Sequence, residues 1–379
     1  MKPFVEPIYV TRPMLPPLQE VENKLKEIWG DRWLTNCGKQ HALLENALSV
    51  KLKVPYLSLF NNCTTALMVA CSALRLAGEV ITTPFTFAAT PHVLTWNNIK
   101  PVFCDIDPIT MNIDTNKIEQ MITSKTTAIL AVHVFGIPCD VERIQQIADF
   151  YGLKVIYDAA HAFGVEINGR GIGTYGDVSA MSFHATKLYH TIEGGAVMHN
   201  SKWLKSRIDF LKNFGIKDEE HVVMPGINGK MNEIQAAMGL INLTYVDSEI
   251  SKREKLVNIY REELSSIEGL VLPTVLPNVK SNNQYFVVRI SEKLFGVSRD
   301  YVYEKLKEFN VYSRKYFYPL CSDYTCYRQL SSSSAENLPC ATIIGTECLA
   351  LPLYGELSEE SVRKICHIIK NIPKGRLLL

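Results

Sequence analysis

A regular alternation of strand-like and helical segments over roughly the first 160 residues constrains the fold more than any other feature. Short apolar runs rich in β-branched residues are separated by segments with the apolar spacing of a helix. The runs are PYLSLF, EVITTP, KPVFCDID, TAILAVHVFG and KVIYDAA. This order predicts an α/β fold in which a mainly parallel sheet is covered by helices on both faces.

The pattern changes after KVIYDAA. A polar, glycine-rich segment, GVEINGRGIG, is typical of a β excursion, and the strand-like runs DVSAMSF and GGAVMHN follow it closely. A long helical pattern then leads to a second unit, in which the tract SSSSAEN is expected to be an exposed loop. We therefore expect a large domain over residues 1–250 and a smaller α+β domain over residues 251–379.

Composition argues against several classes of protein. Forty basic and thirty-nine acidic residues give a net charge of +1 without a basic run, so neither nucleic acid nor an anionic membrane is expected as the main partner. The first residues carry prolines and charges where a secretory signal needs an apolar core, and no later stretch is apolar enough to span a bilayer. Ten cysteines without a CxxC pair suggest reduced thiols rather than a metal site. These features favour a cytoplasmic protein.

A lysine and an aspartate at strand ends provide the first candidate chemistry. Lys187 follows DVSAMSF and is flanked by Ser182, His184 and Thr186, while Asp158 closes the strand KVIYD. A single lysine is usually a solvated surface charge, and a single aspartate in this position is usually a helix cap or a turn residue. Together they supply a Schiff-base amine and a carboxylate that keeps a pyridine nitrogen protonated, as pyridoxal 5'-phosphate (PLP) chemistry requires.

The same cofactor needs a phosphate site and an apolar face for its ring. Thr64 and Thr65 stand where PYLSLF turns into a helix, whose amino terminus favours an anion, and Ser182 offers a further hydroxyl. Phe85 and Phe87, in TTPFTFAAT, are candidates for the ring face. A capping box without a ligand and ordinary core aromatics remain alternatives for each feature alone, but their combination favours a PLP site.

A GxGxxG pattern formed by Gly171, Gly173 and Gly176 points to a different cofactor. A dinucleotide fingerprint needs a strand before it and a helix that opens at its last glycine. Here a polar β segment precedes the pattern and a strand follows it. We therefore interpret the glycines as turn residues, which removes the main support for a nicotinamide oxidoreductase.

In their order along the chain, these segments resemble the DegT/DnrJ/EryC1/StrS family of PLP-dependent sugar aminotransferases. The resemblance covers most of the chain and includes WLTNCGKQHALLENAL, NNCTTAL, PVFCDIDPITMNID, VIYDAAHAFG, SFHATKLYHTIEGGA and PGINGKMNEIQAAMGL. It implies the aspartate aminotransferase type of fold (PLP fold type I), with a large domain and a smaller carboxyl-terminal domain.

The resemblance also implies roles for residues around the ring of PLP. It assigns to Lys187 the covalent link to the cofactor and the proton transfer, and to Asp158 the contact with the pyridinium nitrogen. Phe87 would lie on the ring face. His161 would lie near the ring oxygen, where many relatives have glutamine.

The resemblance further assigns Thr64, Thr65 and Ser182 to the phosphate. Asn228 corresponds to an asparagine that reaches the phosphate of the neighbouring subunit, which implies a homodimer with a shared active site. Cys63 departs from the family, where glycine is usual, and this raises the question of whether the turn needs a positive φ.

Within the family, WLTN, GEVITTPFTF and DAAHAFG are similar to members that aminate C4 of dTDP-4-keto-6-deoxy-D-glucose with L-glutamate as the donor. Amination at C3, a UDP- or GDP-linked ketosugar, a PLP-dependent dehydratase and a regulator without turnover are the alternatives. Dehydratase relatives replace the lysine with histidine, and a regulator would need a DNA-binding segment that the sequence does not contain. Candidate substrate-binding residues are Trp33, Asn36, His184, Arg314, Tyr316 and Tyr318.

Overall fold

Strands from the first 200 residues build a seven-stranded sheet, and shorter strands build smaller sheets around it. The computed structural model describes residues 2–373. The two expected domains, 1–250 and 251–379, therefore extend slightly beyond this range at their outer ends. The strands are β1 (Ile8–Tyr9), β2 (Tyr56–Phe60), β3 (Glu79–Thr82), β4 (Lys100–Phe103), β5 (Thr126–Val132), β6 (Lys154–Asp158), β7 (Glu166–Ile167), β8 (Arg170–Gly171), β9 (Val178–Ser182), β10 (Gly195–His199), β11 (Leu270–Val271), β12 (Val279–Lys280), β13 (Phe286–Ile290), β14 (Val311–Tyr312) and β15 (Cys348–Leu351).

Several helices begin at a residue whose side chain caps the first turn. The carboxylate of Asp140 accepts the backbone N–H of Arg143, and the hydroxyl of Ser358 accepts that of Ser361. Among the described residues, no helix combines the length and the apolar character that a bilayer crossing needs. The helices are α1 (Leu18–Asp31), α2 (Lys39–Lys51), α3 (Cys63–Ala73), α4 (Ala89–Trp96), α5 (Thr115–Ile118), α6 (Val141–Tyr151), α7 (Lys202–Leu211), α8 (Glu233–Leu264), α9 (Glu292–Phe295), α10 (Arg299–Glu308), α11 (Pro339–Glu347) and α12 (Glu359–Asn371).

The large sheet has the strand order β2-β10-β9-β6-β5-β3-β4. Neighbours from β9 to β4 are parallel, whereas β10 is antiparallel to both β9 and β2. Buried apolar residues pack on both faces of this sheet. The mainly parallel, helix-covered sheet predicted from the sequence is therefore confirmed, and the carboxyl ends of β5, β6 and β9 lie side by side.

The glycine-rich segment forms the hairpin of β7 and β8, and β9 follows it. No helix opens at Gly176, whose φ is +72°. A Cβ at Gly176 would lie 2.9 Å from the carbonyl oxygen of Val155. The pattern is therefore not a dinucleotide fingerprint. Gly173 and Gly176 lie in the connection between β8 and β9, as predicted, whereas Gly171 is the last residue of β8.

The serine tract differs from the sequence prediction. Ser332 and Ser333 are buried, the Oγ atom of Ser332 accepts the backbone N–H of Phe103 at 3.1 Å, and the hydroxyl of Ser333 donates to the carbonyl oxygen of Tyr327 at 2.8 Å. The prediction of an exposed loop was wrong for these two serines. Both hydroxyls form hydrogen bonds with backbone atoms of residues outside the tract, Phe103 and Tyr327. The composition of the tract does not reveal such partners.

The carboxyl-terminal unit contains the antiparallel sheet β11-β13-β15, packed with α10 and α12. The predicted boundary at residue 250 falls inside α8, so the helix connects the two units and the division stays a prediction. Strand β1 pairs in parallel with β14. The first described residues therefore join the carboxyl-terminal unit, although the expected large domain begins with them.

Candidate active site

A cavity of about 310 Å³ opens where the carboxyl ends of β5, β6 and β9 meet the amino terminus of α3. Open parallel sheets bind their ligands at this edge, because side chains from neighbouring strand ends converge there. Most of the residues proposed from the sequence lie in the cavity wall. They are Thr64, Phe87, Asp158, His161, Ser182, His184, Lys187, Arg314 and Tyr316.

Lys187 is held by the loop between β9 and β10. Its backbone N–H donates to the carbonyl oxygen of His184 at 2.9 Å, and the next N–H, of Leu188, donates to Oε1 of Gln284 at 2.8 Å. Burial lowers the pKa of Lys187 from its usual value, while Tyr316 and Asp158 raise it. The net lowering increases the fraction of neutral amine, which is the nucleophilic form.

Asp158 closes β6 and is buried at the base of the cavity. The hydroxyl of Thr90 donates to its Oδ2 atom at 2.8 Å, and the N–H of Ala160 donates to Oδ1 at 3.1 Å. Burial raises the pKa of the Asp158 carboxyl, and these two hydrogen bonds act in the opposite direction. Each oxygen keeps acceptor capacity for a ligand.

His161 lies on the cavity wall with its ring parallel to the ring of Phe317, at an interplanar angle of 2°. Its Nδ1 atom accepts the backbone N–H of Phe135 at 3.2 Å, which assigns the proton of the neutral ring to Nε2. Burial holds the pKa of His161 well below its usual value, and the charge of Lys187 lowers it further. His161 is therefore a neutral donor towards the cavity.

The amino terminus of α3 forms the anion-binding end of the site. Thr64 lines the cavity, but Thr65 does not, and the N–H of Thr65 is used by Oδ1 of the capping residue Asn62 at 2.8 Å. Cys63 is the first helical residue and has no positive φ, so this turn does not need glycine. Glycine is needed instead at position 195, because a Cβ there would lie 2.7 Å from the backbone nitrogen of Cys63.

The two phenylalanines proposed for the ring face differ in the structure. Phe85 is fully buried in the core, where its ring packs against Phe317 at a centroid distance of 5.5 Å. Phe87 lines the cavity and is 64% exposed. Only Phe87 of this pair has a face available to a flat ligand.

Several residues proposed from the sequence do not line the cavity of the single chain. Trp33 and Asn36 are exposed on the segment before α2, and Tyr318 packs against the guanidinium of Arg299 at 5.2 Å. Asn228 is exposed on the segment between α7 and α8. Asn228 therefore does not contact the cavity of its own chain.

The structure adds residues that the sequence did not indicate. Tyr285 and Thr86 line the cavity, as does Glu193, whose Oε1 lies 3.4 Å from Nε2 of His184. The place of Glu193 just before two glycines in the Lys187 loop is a signal that the sequence offers. Tyr285 has no such signal, because it lies about a hundred residues further along the chain.

This donor set fits PLP. The amine of Lys187 can bind the cofactor aldehyde, the carboxylate of Asp158 suits the pyridine nitrogen, and Phe87 offers a ring face. The helix terminus beside Gly195 provides a phosphate cradle that an added Cβ would obstruct. The hydroxyl hydrogen of Ser182 is also free to donate there, because its Oγ atom accepts the N–H of His184 at 3.3 Å.

Comparison with known proteins agrees with this geometry. Residues 18–370 match the DegT/DnrJ/EryC1/StrS aminotransferase family. A dTDP-4-amino-4,6-dideoxy-D-glucose transaminase of Escherichia coli is 49% identical over 365 residues, which cover 96% of this chain and 98% of the relative. The structure of DesI in the presence of its TDP-sugar product has a TM-score of 0.94 and 34% identity, covering 99% of this chain and 95% of DesI.

A Streptococcus pneumoniae protein solved in a PLP form has a TM-score of 0.90 and 25% identity, covering 98% of this chain and all of that one. The cofactor inferred from Lys187 and Asp158 is thus PLP, and the fold expected from the sequence is confirmed. The chain belongs to the DegT/DnrJ/EryC1/StrS aminotransferase family, and it is a PLP-dependent aminotransferase.

Proposed function

We propose that the protein transfers the amino group of L-glutamate to C4 of dTDP-4-keto-6-deoxy-D-glucose, giving dTDP-4-amino-4,6-dideoxy-D-glucose. The main support is that Lys187 and Asp158 line the same cavity. The chain also matches the E. coli transaminase over nearly its whole length. The pairing of Lys187 with Asp158 in this cavity supports amino transfer. The nearly full-length similarity supports the sugar.

The chain's own residues supply binding and proton transfer. When bound, PLP supplies an electron sink for cleavage of the donor's Cα–H bond. Lys187 would hold the cofactor through Nζ and, once displaced by the donor amine, would take the proton from the donor carbon and deliver it again during the transfer. Asp158 would keep the pyridine nitrogen protonated, and the Nε2–H of His161 would donate to the ring oxygen. Thr64 and Ser182 would bind the phosphate.

Arg314 supports an anionic substrate. Its guanidinium lies in the cavity wall, 5.6 Å from the centroid of the Tyr316 ring. Both substrates are anionic, glutamate through its carboxylates and the ketosugar through its diphosphate, and a guanidinium binds either group with two hydrogen bonds. We assign Arg314 to substrate binding, together with His184 and Tyr316.

We further propose a homodimer in which Asn228 reaches the phosphate site of the partner. The segment around Asn228 exposes Val222, Val223 and Ile227, and the segment before α2 exposes Trp33. Exposed large apolar residues that occur together are typical of an interaction surface. With a second copy on this surface, Asn228 would lie in the interface and be available to the partner's site.

The test is incubation of the purified protein with L-glutamate and one ketosugar at a time: dTDP-4-keto, dTDP-3-keto, UDP-4-keto or GDP-4-keto. Mass spectrometry and NMR of the product identify the aminated carbon. We expect the dTDP-4-aminosugar at the highest kcat/KM. Preference for a C3 ketone or another nucleotide would contradict the proposed substrate, and loss of the sugar hydroxyl without consumption of glutamate would indicate a dehydratase.

A further inference from the structure

Two threonine hydroxyls connect the cavity wall to Asp158. The Oγ1 atoms of Thr86 and Thr90 are 2.8 Å apart, and the Thr90 hydroxyl donates to Oδ2 of Asp158 at 2.8 Å. All three residues are buried, with 2% or less of each threonine exposed. Thr86 lines the cavity, whereas Thr90 lies behind it in the first turn of α4.

The direction of these hydrogen bonds follows from the hydrogen count. An ionised carboxylate only accepts, so Thr90 uses its single hydroxyl hydrogen on Asp158. The bond between the two threonines then requires Thr86 to donate to Thr90. Both hydrogens point towards the carboxylate, and bonds of this kind polarise one another in a dry interior.

Within residues 2–373, the Thr90 hydroxyl forms hydrogen bonds only with Thr86 and Asp158. Helix α4 begins at Ala89, its N-cap Ala88 provides no side-chain cap, and the backbone N–H of Thr90 donates to the carbonyl oxygen of Phe87 at 3.1 Å. Asp158 does need support, because burial raises the pKa of its carboxyl and favours the neutral acid. A neutral acid would lose the charge that holds a pyridine nitrogen protonated.

We propose that Thr90, supported by Thr86, is a positioning residue that holds Asp158 as an oriented carboxylate for the pyridine nitrogen of PLP. The proposal rests on the PLP site described above. The N–H of Ala160 fixes one carboxylate oxygen and Thr90 fixes the other. The hydroxyl chain thus determines both the charge and the rotation of the group.

Thr90→Val, which removes the hydroxyl but keeps the branched shape, and Thr90→Ser, which keeps the hydroxyl, form a matched pair. The readout is the Kd of PLP as a function of pH, measured by quenching of protein fluorescence. We expect Thr90→Val to weaken PLP binding about tenfold, because hydrogen bonds to charged groups are worth that much or more. Its loss of affinity on acidification should begin at a higher pH than in the wild type, and Thr90→Ser should restore both properties.

An unchanged Kd and pH dependence in folded Thr90→Val, or equal weakening by the serine variant, would overturn the proposal in favour of simple packing. If Thr90→Val does not fold, Thr86→Ala provides the same test from the cavity side. It should weaken PLP binding with the same pH trend, and unaltered binding would overturn the role. Wild-type protein that binds no PLP would overturn the cofactor assignment itself, which separates that failure from this one.

Discussion

The Nζ atom of Lys187 lies 5.9 Å from the centroid of the Tyr285 ring. Lys187 belongs to the loop after β9, whereas Tyr285 immediately precedes β13 of the carboxyl-terminal unit. Burial raises the pKa of Tyr285 to about 12, so the ring stays neutral and offers its face to the lysine. The carboxyl-terminal unit therefore forms part of the wall around the reactive amine.

Replacement of Lys187 tests the covalent link. Borohydride reduction of the PLP-bound wild type should attach the cofactor to Lys187, as peptide mass mapping would show. Lys187→Ala should give no adduct and lose at least about a thousandfold in turnover, because tether and proton carrier are both removed. Lys202→Ala, on the exposed start of α7, is the control and should behave as the wild type. An adduct on another lysine would contradict the assignment.

Replacement of Asp158 should change both the turnover and the pKa of Lys187. We expect Asp158→Ala to lower kcat about a hundredfold or more, because it removes an oriented charge from a dry site. The negative charge of Asp158 raises the pKa of Lys187, so Asp158→Asn should lower it further. Acylation of Lys187 in the PLP-free protein should then begin at a lower pH in the asparagine variant. A shift to higher pH would contradict the predicted effect of Asp158 on Lys187. Near-normal turnover of Asp158→Ala would show that the partner of the ring nitrogen is misidentified.

Gly195 should be intolerant of a side chain. A Cβ there would lie 2.7 Å from the nitrogen of Cys63 and 2.8 Å from the carbonyl carbon of Asn62, so the start of α3 must move. We expect Gly195→Ala to lower the free energy of unfolding by about 1–3 kcal/mol and to weaken PLP binding. Gly30→Ala has no atom within 4 Å of the added Cβ and should cause neither effect. Equal behaviour of the two variants in urea unfolding would contradict the proposed close approach.

Three buried histidines should make the protein sensitive to acid. Burial lowers the pKa of His41 and His133 to about 3 and that of His199 to about 4, and in the described part of the chain their Nε2 atoms have no hydrogen-bond partner. The unfolded chain binds protons below about pH 6.5 whereas the folded chain does not, so stability is lost as the pH falls from there towards 4. Each histidine contributes about 1.4 kcal/mol per pH unit in that window.

Urea unfolding of the wild type between about pH 7 and pH 4.5 measures this slope. We expect His199→Asn to reduce it by about the share of one histidine. An identical slope in the variant would mean that His199 is protonated in the folded state as well.

The parts of the fold that the sequence predicted are those encoded by local pattern. Strands β2 to β6 were visible because apolar runs and helical spacing are properties of neighbouring residues. Strands β1 and β14 have two residues each, too few for a pattern, and only their pairing makes them strands. Ser332 shows the same limit, since its burial depends on Phe103 more than two hundred residues away.

The residues of the candidate site also fall into those that the sequence predicts and those that only the structure reveals. Lys187, Asp158 and Phe87 were predictable because each lies at or just beyond the end of a recognisable strand, where ligands of parallel sheets bind. Thr90 was not, since its role depends on a contact between α4 and Asp158 at the end of β6, 68 residues further along the chain. Tyr285 enters the cavity only through the docking of the carboxyl-terminal unit. Whether Asn228 contributes to a site depends on a second copy of the chain.

Hybrid dimers test that dependence. Lys187→Ala and Asn228→Ala, each expected to be impaired alone, are co-expressed with different tags, and the hybrid is purified through both tags. If Asn228 serves the partner, one site combines Lys187 from the Asn228→Ala chain with Asn228 from the Lys187→Ala chain, so the hybrid should recover about half of the wild-type activity. If each chain supplied both residues to its own site, neither site would be intact and no activity would return. Because both outcomes are measured on the same purified hybrid, the test separates a shared site from a merely adjacent one.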